Sequence, residues 1–237
     1  MHERIAGTLL LDLDDTLLDY SSGVDRCWRE ACRAGCAPAG LAGEPLVTAV
    51  AEVRRWFWQD PARHRRERVD MLKAWQNIVG HALDSLGMPD RHDLAATVAR
   101  DFAARRRERM RLFGDALETL ERFRAARLPL GLVTNGDAGQ QRDKIERFDL
   151  ARFFGVIVIE GEFGAGKPDE AVYRHALDAL GARPETTSMV GDHLEFDVAG
   201  AQRLGMCGIW IDREGGGLPA DAAVQPRRVI RSLRELG

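Results

Sequence analysis

Leu9-Leu10-Leu11-Asp12-Leu13-Asp14-Asp15-Thr16-Leu17 is an apolar run that ends abruptly in three carboxylates. It is too brief for a helix of ordinary length and is bounded by polar residues, the pattern of a central strand in a parallel sheet buried on both faces. Ligands of open α/β sheets gather beyond the carboxyl ends of the strands, so Asp12 and Asp14 should stand at the functional edge. On an extended chain, acids two residues apart point to the same side. Held close, they repel unless a cation or a shared proton joins them.

Working outward, apolar β runs recur at 130–133, 156–159, 188–190 and 207–211, with a short one at 229–230. Helical patterns alternate with them: Ala116, Leu120 and Phe123 after an Asp115/Glu118 start, then 140–148, then Val172, Ala176, Ala179 and Leu180. This alternation predicts an α/β fold with a Rossmann-like parallel sheet core. Residues 24–111 break the pattern and read as helical throughout. Val50, Val53 and Phe57 form one stripe, Leu72, Trp75, Val79, Leu83 and Leu86 a second, Leu94, Val98 and Phe102 a third. Breaks at Ala37-Pro38-Ala39-Gly40, Asp60-Pro61 and Gly87-Met88-Pro89 separate the helices. The expected organisation is a core domain from 1–20 and 112–237, with a helical-bundle domain, 21–111, inserted after the first strand.

At 237 residues with a formal net charge of −3, the chain can bury a large core and is no globally basic nucleic-acid binder. The Arg/Glu-rich runs at 63–68 and 105–109 mix signs on amphipathic helices and read as solvated faces. No apolar run approaches the roughly 20 residues of a membrane span. Cys27, Cys32, Cys36 and Cys207 lack paired CxxC spacing and no signal peptide precedes them, so a reduced, cytoplasmic protein is expected. Helical spacing with partial burial is the preferred reading of Cys27, Cys32 and Cys36 over a zinc site. Arginine far outnumbers lysine, which makes Lys73, Lys144 and Lys167 stand out. Trp56, Trp58 and Trp75 read as core or inter-domain packing in preference to a substrate pocket.

Four polar groups follow apolar β runs: Asp12/Asp14, Thr134/Asn135, Lys167 and Asp192/Asp197. A parallel sheet would gather all four on one edge. The resulting set of acids, hydroxyl, amide and ammonium suits phosphoryl transfer through a metal. A carboxylate approaches a phosphate dianion only if a divalent cation and positive donors neutralise the oxygens. Asp12 and Asp192 offer the hard oxygen ligands that Mg²⁺ prefers. Lys167 and Thr134 can bind phosphate oxygens. Asp14 is placed to protonate the leaving oxygen and later to take a proton from water.

Asp12-Leu13-Asp14-Asp15-Thr16, Val133-Thr134-Asn135-Gly136, Gly166-Lys167-Pro168 and Gly191-Asp192-His193-Leu194-Glu195-Phe196-Asp197 together resemble the four ordered motifs of the haloacid dehalogenase superfamily. The resemblance spans the chain, and the helical insertion is similar to the family's cap. It implies that Asp12 is a nucleophile forming an aspartyl-phosphate and that Asp14 is the general acid/base, its backbone carbonyl also ligating Mg²⁺. It further implies that Thr134 and the Asn135 backbone bind phosphate, that Lys167 neutralises the intermediate and that Asp192 is a metal ligand. Asp197 would act behind these, orienting Lys167 or a metal-bound water.

The expected function is Mg²⁺-dependent hydrolysis of a small phosphorylated metabolite, of nucleotide or sugar phosphate type, without nucleic-acid or membrane partners. The sequence leaves the oligomeric state open. Rival readings are a sugar phosphomutase, a phosphonate or haloacid hydrolase of the same superfamily, and a non-catalytic binding protein on this fold. By the resemblance, the dehalogenase and phosphonate branches lack the second acid of the first motif, which Asp14 supplies here; Lys73 is the insertion's lysine that a phosphonate mechanism would need. Asp15 stands where the family often has glycine. His193 and Glu195 lie within the last motif with no role assigned.

Overall fold

The computed structural model describes residues 7–237, and the chain divides into two compact units, Met1–Tyr20 with Arg111–Gly237 and Ser21–Met110. In the first unit the strands are β1 (Thr8–Leu11), β2 (Leu18–Asp19), β3 (Arg111–Leu112), β4 (Leu130–Thr134), β5 (Val156–Ile159), β6 (Thr187–Gly191), β7 (Cys207–Ile211) and β8 (Arg228–Ile230). Six of them form a parallel sheet in the order β5-β4-β1-β6-β7-β8, which puts β1 near the centre. Strands β2 and β3 pair separately as a short antiparallel ribbon. Nothing in the sequence announces this ribbon, because two-residue strands carry no periodicity.

In the second unit lie α1 (Val24–Cys36), α2 (Gly43–Gln59), α3 (Pro61–Glu67), α4 (Met71–Ser85) and α5 (His92–Arg109). The sheet unit carries α6 (Ala116–Ala125), α7 (Ala138–Arg147), α8 (Glu160–Phe163), α9 (Glu170–Leu180) and α10 (Gly200–Arg203).

Leu9, Leu10 and Leu11 are buried, as a strand flanked on both faces requires. Leu10 packs with Val133, Val158 and Met189 from the sheet and with Val172, Tyr173, Ala176 and Leu177 from α9. Alternation along the strand sends Leu9 and Leu11 to the opposite face. Gly131 lies beside Leu10 in the ladder, and a Cβ there would meet Leu10 Cδ2 at 2.7 Å and Val156 Cγ1 at 3.1 Å. The glycine therefore leaves room for the leucine of the neighbouring strand.

The helical unit has its own core. Trp28 stacks on Phe102 with centroids 3.7 Å apart, and Trp75 meets Phe102 edge-on at 5.0 Å. Asp60 and Asp70 cap α3 and α4, their carboxylates accepting from the Arg63 and Lys73 amides at 2.7 and 3.1 Å. The break before Asp70 had no proline or glycine to announce it. Cys27, Cys32 and Cys36 are buried along α1 as free thiols. The basic run at the end of α5 is engaged within the unit: Arg105 pairs with Asp101 and Glu30 at 2.8 and 2.9 Å, and Arg109 with Glu30 at 2.6 Å.

Several expectations are corrected in detail. Trp75 is core, but Trp56 is 49% exposed with Arg63 stacked 3.9 Å over its ring, and Trp58 is half-buried. Leu72 and Leu86 are exposed at the two ends of the α4 stripe, and Ala179 is exposed because the buried face of α9 runs through Tyr173 and Leu177 instead. Asp115 does not cap α6 with its side chain; one carboxylate oxygen accepts from Arg213 at 2.7 Å, the Ser232 hydroxyl at 2.6 Å and the Leu233 amide at 2.8 Å. Among the described residues no helix is long and apolar enough to cross a membrane.

Gly131→Ala should lower the unfolding free energy by about 1–3 kcal/mol through overpacking. Adding Leu10→Val should return part of that loss, measured as a coupling energy in a urea double-mutant cycle.

Candidate active site

The carboxyl ends of β1, β4 and β6 deliver Asp12, Thr134 and Asp192 to one edge of the sheet. Lys167 reaches the same place from the loop between α8 and α9. Its ammonium donates to Asp12 Oδ1 and to Asp197 Oδ1, each at 2.6 Å. Lys167 is 2% exposed and Asp197 1%. Burial disfavours the charged lysine, but the two carboxylates outweigh it and hold its pKa above the ordinary range.

Asp197 lies in a π-helical turn, Leu194–Ala199, a form that widens the helix and is frequent at functional sites. Its second oxygen accepts from the His193 amide at 2.9 Å, so both oxygens are engaged. Gly191 makes this approach possible, since a Cβ there would lie 2.2 Å from the Asp197 carboxylate. His193 caps the turn through its ring: Nδ1 accepts from the Phe196 amide at 3.2 Å and the two rings stack at 3.9 Å. Glu195 pairs with Arg203 at 3.0 Å on an exposed face.

The loop after β1 explains the rest of the first motif. Thr16 donates to Asp12 Oδ2 at 3.4 Å. Asp15 occupies the left-handed region at φ 55°, which accounts for a glycine preference there and which aspartate tolerates better than most residues. Its carboxylate accepts from the Tyr20 amide at 3.0 Å and locks the loop.

Oxygens of Asp12, Asp192 and Asp197 lie within 4.8 Å of one another. Burial, with the charges of Asp197 and Asp14 adding to it and Lys167 opposing, pushes the Asp12 carboxyl up to about 7. Burial together with the Asp12 and Asp197 charges pushes Asp192 up to about 8. A site where acids resist ionisation is one that further positive charge would stabilise. Hard carboxylate oxygens so grouped fit a divalent cation of the Mg²⁺ class, with Asp12 and Asp192 as the better-placed pair because Lys167 and the His193 amide already occupy Asp197. Trp210 Nε1 donates to the Asp192 carbonyl at 2.7 Å and fixes its backbone.

Thr134 is present on this edge, but Asn135 and Asp14 have partners that sequence reasoning did not anticipate. The Asn135 side chain bridges to the Lys167 backbone, accepting from its amide at 2.7 Å and donating to its carbonyl at 2.8 Å. It thereby ties the lysine loop to the end of β4. The Asp14 carboxylate turns toward α7, where Lys144 contacts both its oxygens at 2.9 and 2.7 Å and Gln141 Nε2 lies 3.2 Å away.

Glu160, buried, accepts from the Gly136 amide at 2.9 Å and was also missed. It is the first residue after β5, so the positional rule that found the other groups would have found it. Gln141 and Lys144 carry a fainter signal, a polar pair three apart on a helix.

A family model described as haloacid dehalogenase-like hydrolase matches residues 7–205. A phosphoserine phosphatase of Thermus thermophilus is 34% identical over 247 residues, covering 96% of each chain. A glyceraldehyde 3-phosphate phosphatase of Methanopyrus kandleri is 29% identical over 241 residues, covering 96% of this chain and 97% of that one. Among solved structures, a 2-haloacid dehalogenase from Pseudomonas syringae superposes with a TM-score of 0.68 at 28% identity, covering 98% of this chain and 96% of that one.

Lys167→Met leaves two buried carboxylates facing each other without their cation. Unfolding free energy should fall by about 3–5 kcal/mol in urea titrations, as for other buried pairs broken on one side.

Proposed function

The chain belongs to the haloacid dehalogenase-like hydrolases, and from that premise we propose that it is a phosphatase of small phosphorylated metabolites, acting through an aspartyl-phosphate on Asp12. The observation that carries this reading is the Asp12–Lys167–Asp197 triad, which presents a carboxylate beside a buried ammonium at the end of a central strand. Asp12 Oδ1 is held by Lys167, which orients the carboxylate and lends positive charge where phosphate oxygens would collect. Among the described residues Oδ2 has the long 3.4 Å contact to Thr16 as its hydrogen bond, and we assign the attack on phosphorus to it.

In this reading Asp12, Asp192 and the Asp14 backbone carbonyl would hold Mg²⁺. The bound cation supplies charge neutralisation of the phosphoryl group. Thr134 and the Asn135 amide bind the remaining phosphate oxygens. Asp14 gives its proton to the departing oxygen and then takes one from the water that attacks phosphorus, releasing inorganic phosphate and restoring Asp12. The helical unit is assigned the role of a cap that excludes water and selects the leaving group.

The names of two relatives support a substrate class of short phosphorylated chains, since phosphoserine and glyceraldehyde 3-phosphate are of that kind. Small phosphate monoesters of this size, with sugar and nucleoside phosphates beside them, form the panel to screen. Likeness to a dehalogenase supports a second reading, hydrolysis of a carbon–halogen bond, in which the same Asp12 attacks carbon. Against it stands Asp14, an acid that a halide leaving group does not need.

On this panel Asp12→Asn should reduce phosphate release at least about 10³-fold without loss of fold, and EDTA should silence the wild type. Chloride release from a 2-chloro acid, with no phosphate release from any ester, would favour the second reading. Mg²⁺ should raise the melting temperature, by an amount equivalent to about 2.7 kcal/mol at a hundred times its Kd. Asp192→Asn should abolish that shift in differential scanning calorimetry.

A further inference from the structure

Lysine has three N–H donors and no acceptor. Lys144, 4% exposed, spends its donors on Asp14 Oδ1, Asp14 Oδ2 and Gln141 Oε1, at 2.9, 2.7 and 2.6 Å, and lies 4.1 Å over the Tyr20 ring. A neighbour that only donates fixes the orientation of an amide, so Gln141 must turn its oxygen to Lys144 and its NH₂ away. Both amide hydrogens then have acceptors, Thr134 Oγ1 at 2.6 Å and Asp14 Oδ2 at 3.2 Å. Thr134 is thus obliged to accept on one side, which leaves its own hydrogen to donate. In the structure that hydrogen has a long partner, the Asn135 carbonyl at 3.4 Å, which a phosphate oxygen can replace.

We propose that Gln141 and Lys144 are positioning residues that set the direction of hydrogen bonding at this edge. They aim the Thr134 hydroxyl outward as a donor and clamp the Asp14 carboxylate in one orientation. The inference rests on the reading above in which Thr134 binds phosphate and Asp14 serves the leaving oxygen. Direction, not mere contact, is the content of the proposal. A flipped Gln141 would present its oxygen to Thr134, take the hydroxyl hydrogen away from phosphate, and face the Asp14 carboxylate with a second acceptor. Lys144 prevents the flip because it cannot accept a hydrogen bond from the amide nitrogen.

The test uses Gln141→Glu, Gln141→Leu and Lys144→Met, with binding of inorganic phosphate in Mg²⁺ buffer measured by calorimetry and kcat/KM measured for an alkyl and a 4-nitrophenyl phosphate. Gln141→Glu keeps the size and the Lys144 partner but offers Thr134 only acceptors, so the phosphate Kd should rise at least about tenfold. Gln141→Leu neither donates nor accepts and should fall between wild type and Gln141→Glu. Lys144→Met should lose about 100-fold in kcat/KM on the alkyl ester and under about tenfold on the nitrophenyl ester, whose departing oxygen hardly needs a proton. A merely structural role would lower both esters alike, in step with melting temperature. Unchanged phosphate affinity in folded Gln141→Glu, or equal losses on the two esters in folded Lys144→Met, overturns the proposal. A wild type that binds phosphate yet hydrolyses neither ester sinks the functional reading, and the Gln141→Glu binding comparison still decides the relay.

Discussion

A buried ammonium between two buried carboxylates is the constraint on which this edge of the sheet depends. Lys167 touches Asp12 from the first strand and Asp197 from the turn after β6, so one cation joins segments far apart in the chain. Removing such buried charges from water is costly, and the ion pairs among the three offset that cost. Together they make an arrangement whose geometry is enforced by the cost of breaking it. Asn135 extends that enforcement by gripping the Lys167 backbone, and Gly191 extends it by leaving space for Asp197. The positioning that chemistry needs and the packing that the fold needs are here the same set of contacts.

Around this centre the polar groups divide into two nets. One contains Asp12, Lys167, Asp197 and the amide of His193, with the Asp192 carboxylate beside it. The other contains Asp14, Lys144, Gln141 and Thr134 and hangs from α7. Each net is anchored by one buried lysine, in a chain where lysine is scarce. The long ammonium stem lets a helix or loop residue reach a strand end while its methylenes stay in apolar surroundings.

The sheet was legible because its strands are short apolar runs set between helical patterns; the runs at 156–159 and 207–211 coincide with β5 and β7. Asp12, Thr134, Lys167 and Asp192 were legible by position, each following such a run. What stayed hidden shares a physical cause: it depends on partners distant in sequence. The β2/β3 ribbon is defined only by its pairing, and Asp115 looked like a helix cap until its carboxylate was seen to hold Arg213, Ser232 and Leu233. Lys144 stands out in the sequence only as a rare lysine and Gln141 carries no mark of its own; only folding shows that they point at Asp14 and Thr134. The left-handed Asp15 was visible in advance as a departure from glycine, and its backbone angle supplies the reason.

The central claim is that Asp12 becomes covalently phosphorylated, and the most direct test is borohydride trapping of enzyme quenched during turnover, followed by peptide mass spectrometry. An acyl phosphate at Asp12 would be reduced there, so the account predicts homoserine at position 12 and unmodified aspartate at positions 14, 192 and 197. Homoserine at one of those other positions, or intact Asp12 in enzyme caught while releasing phosphate, would contradict it.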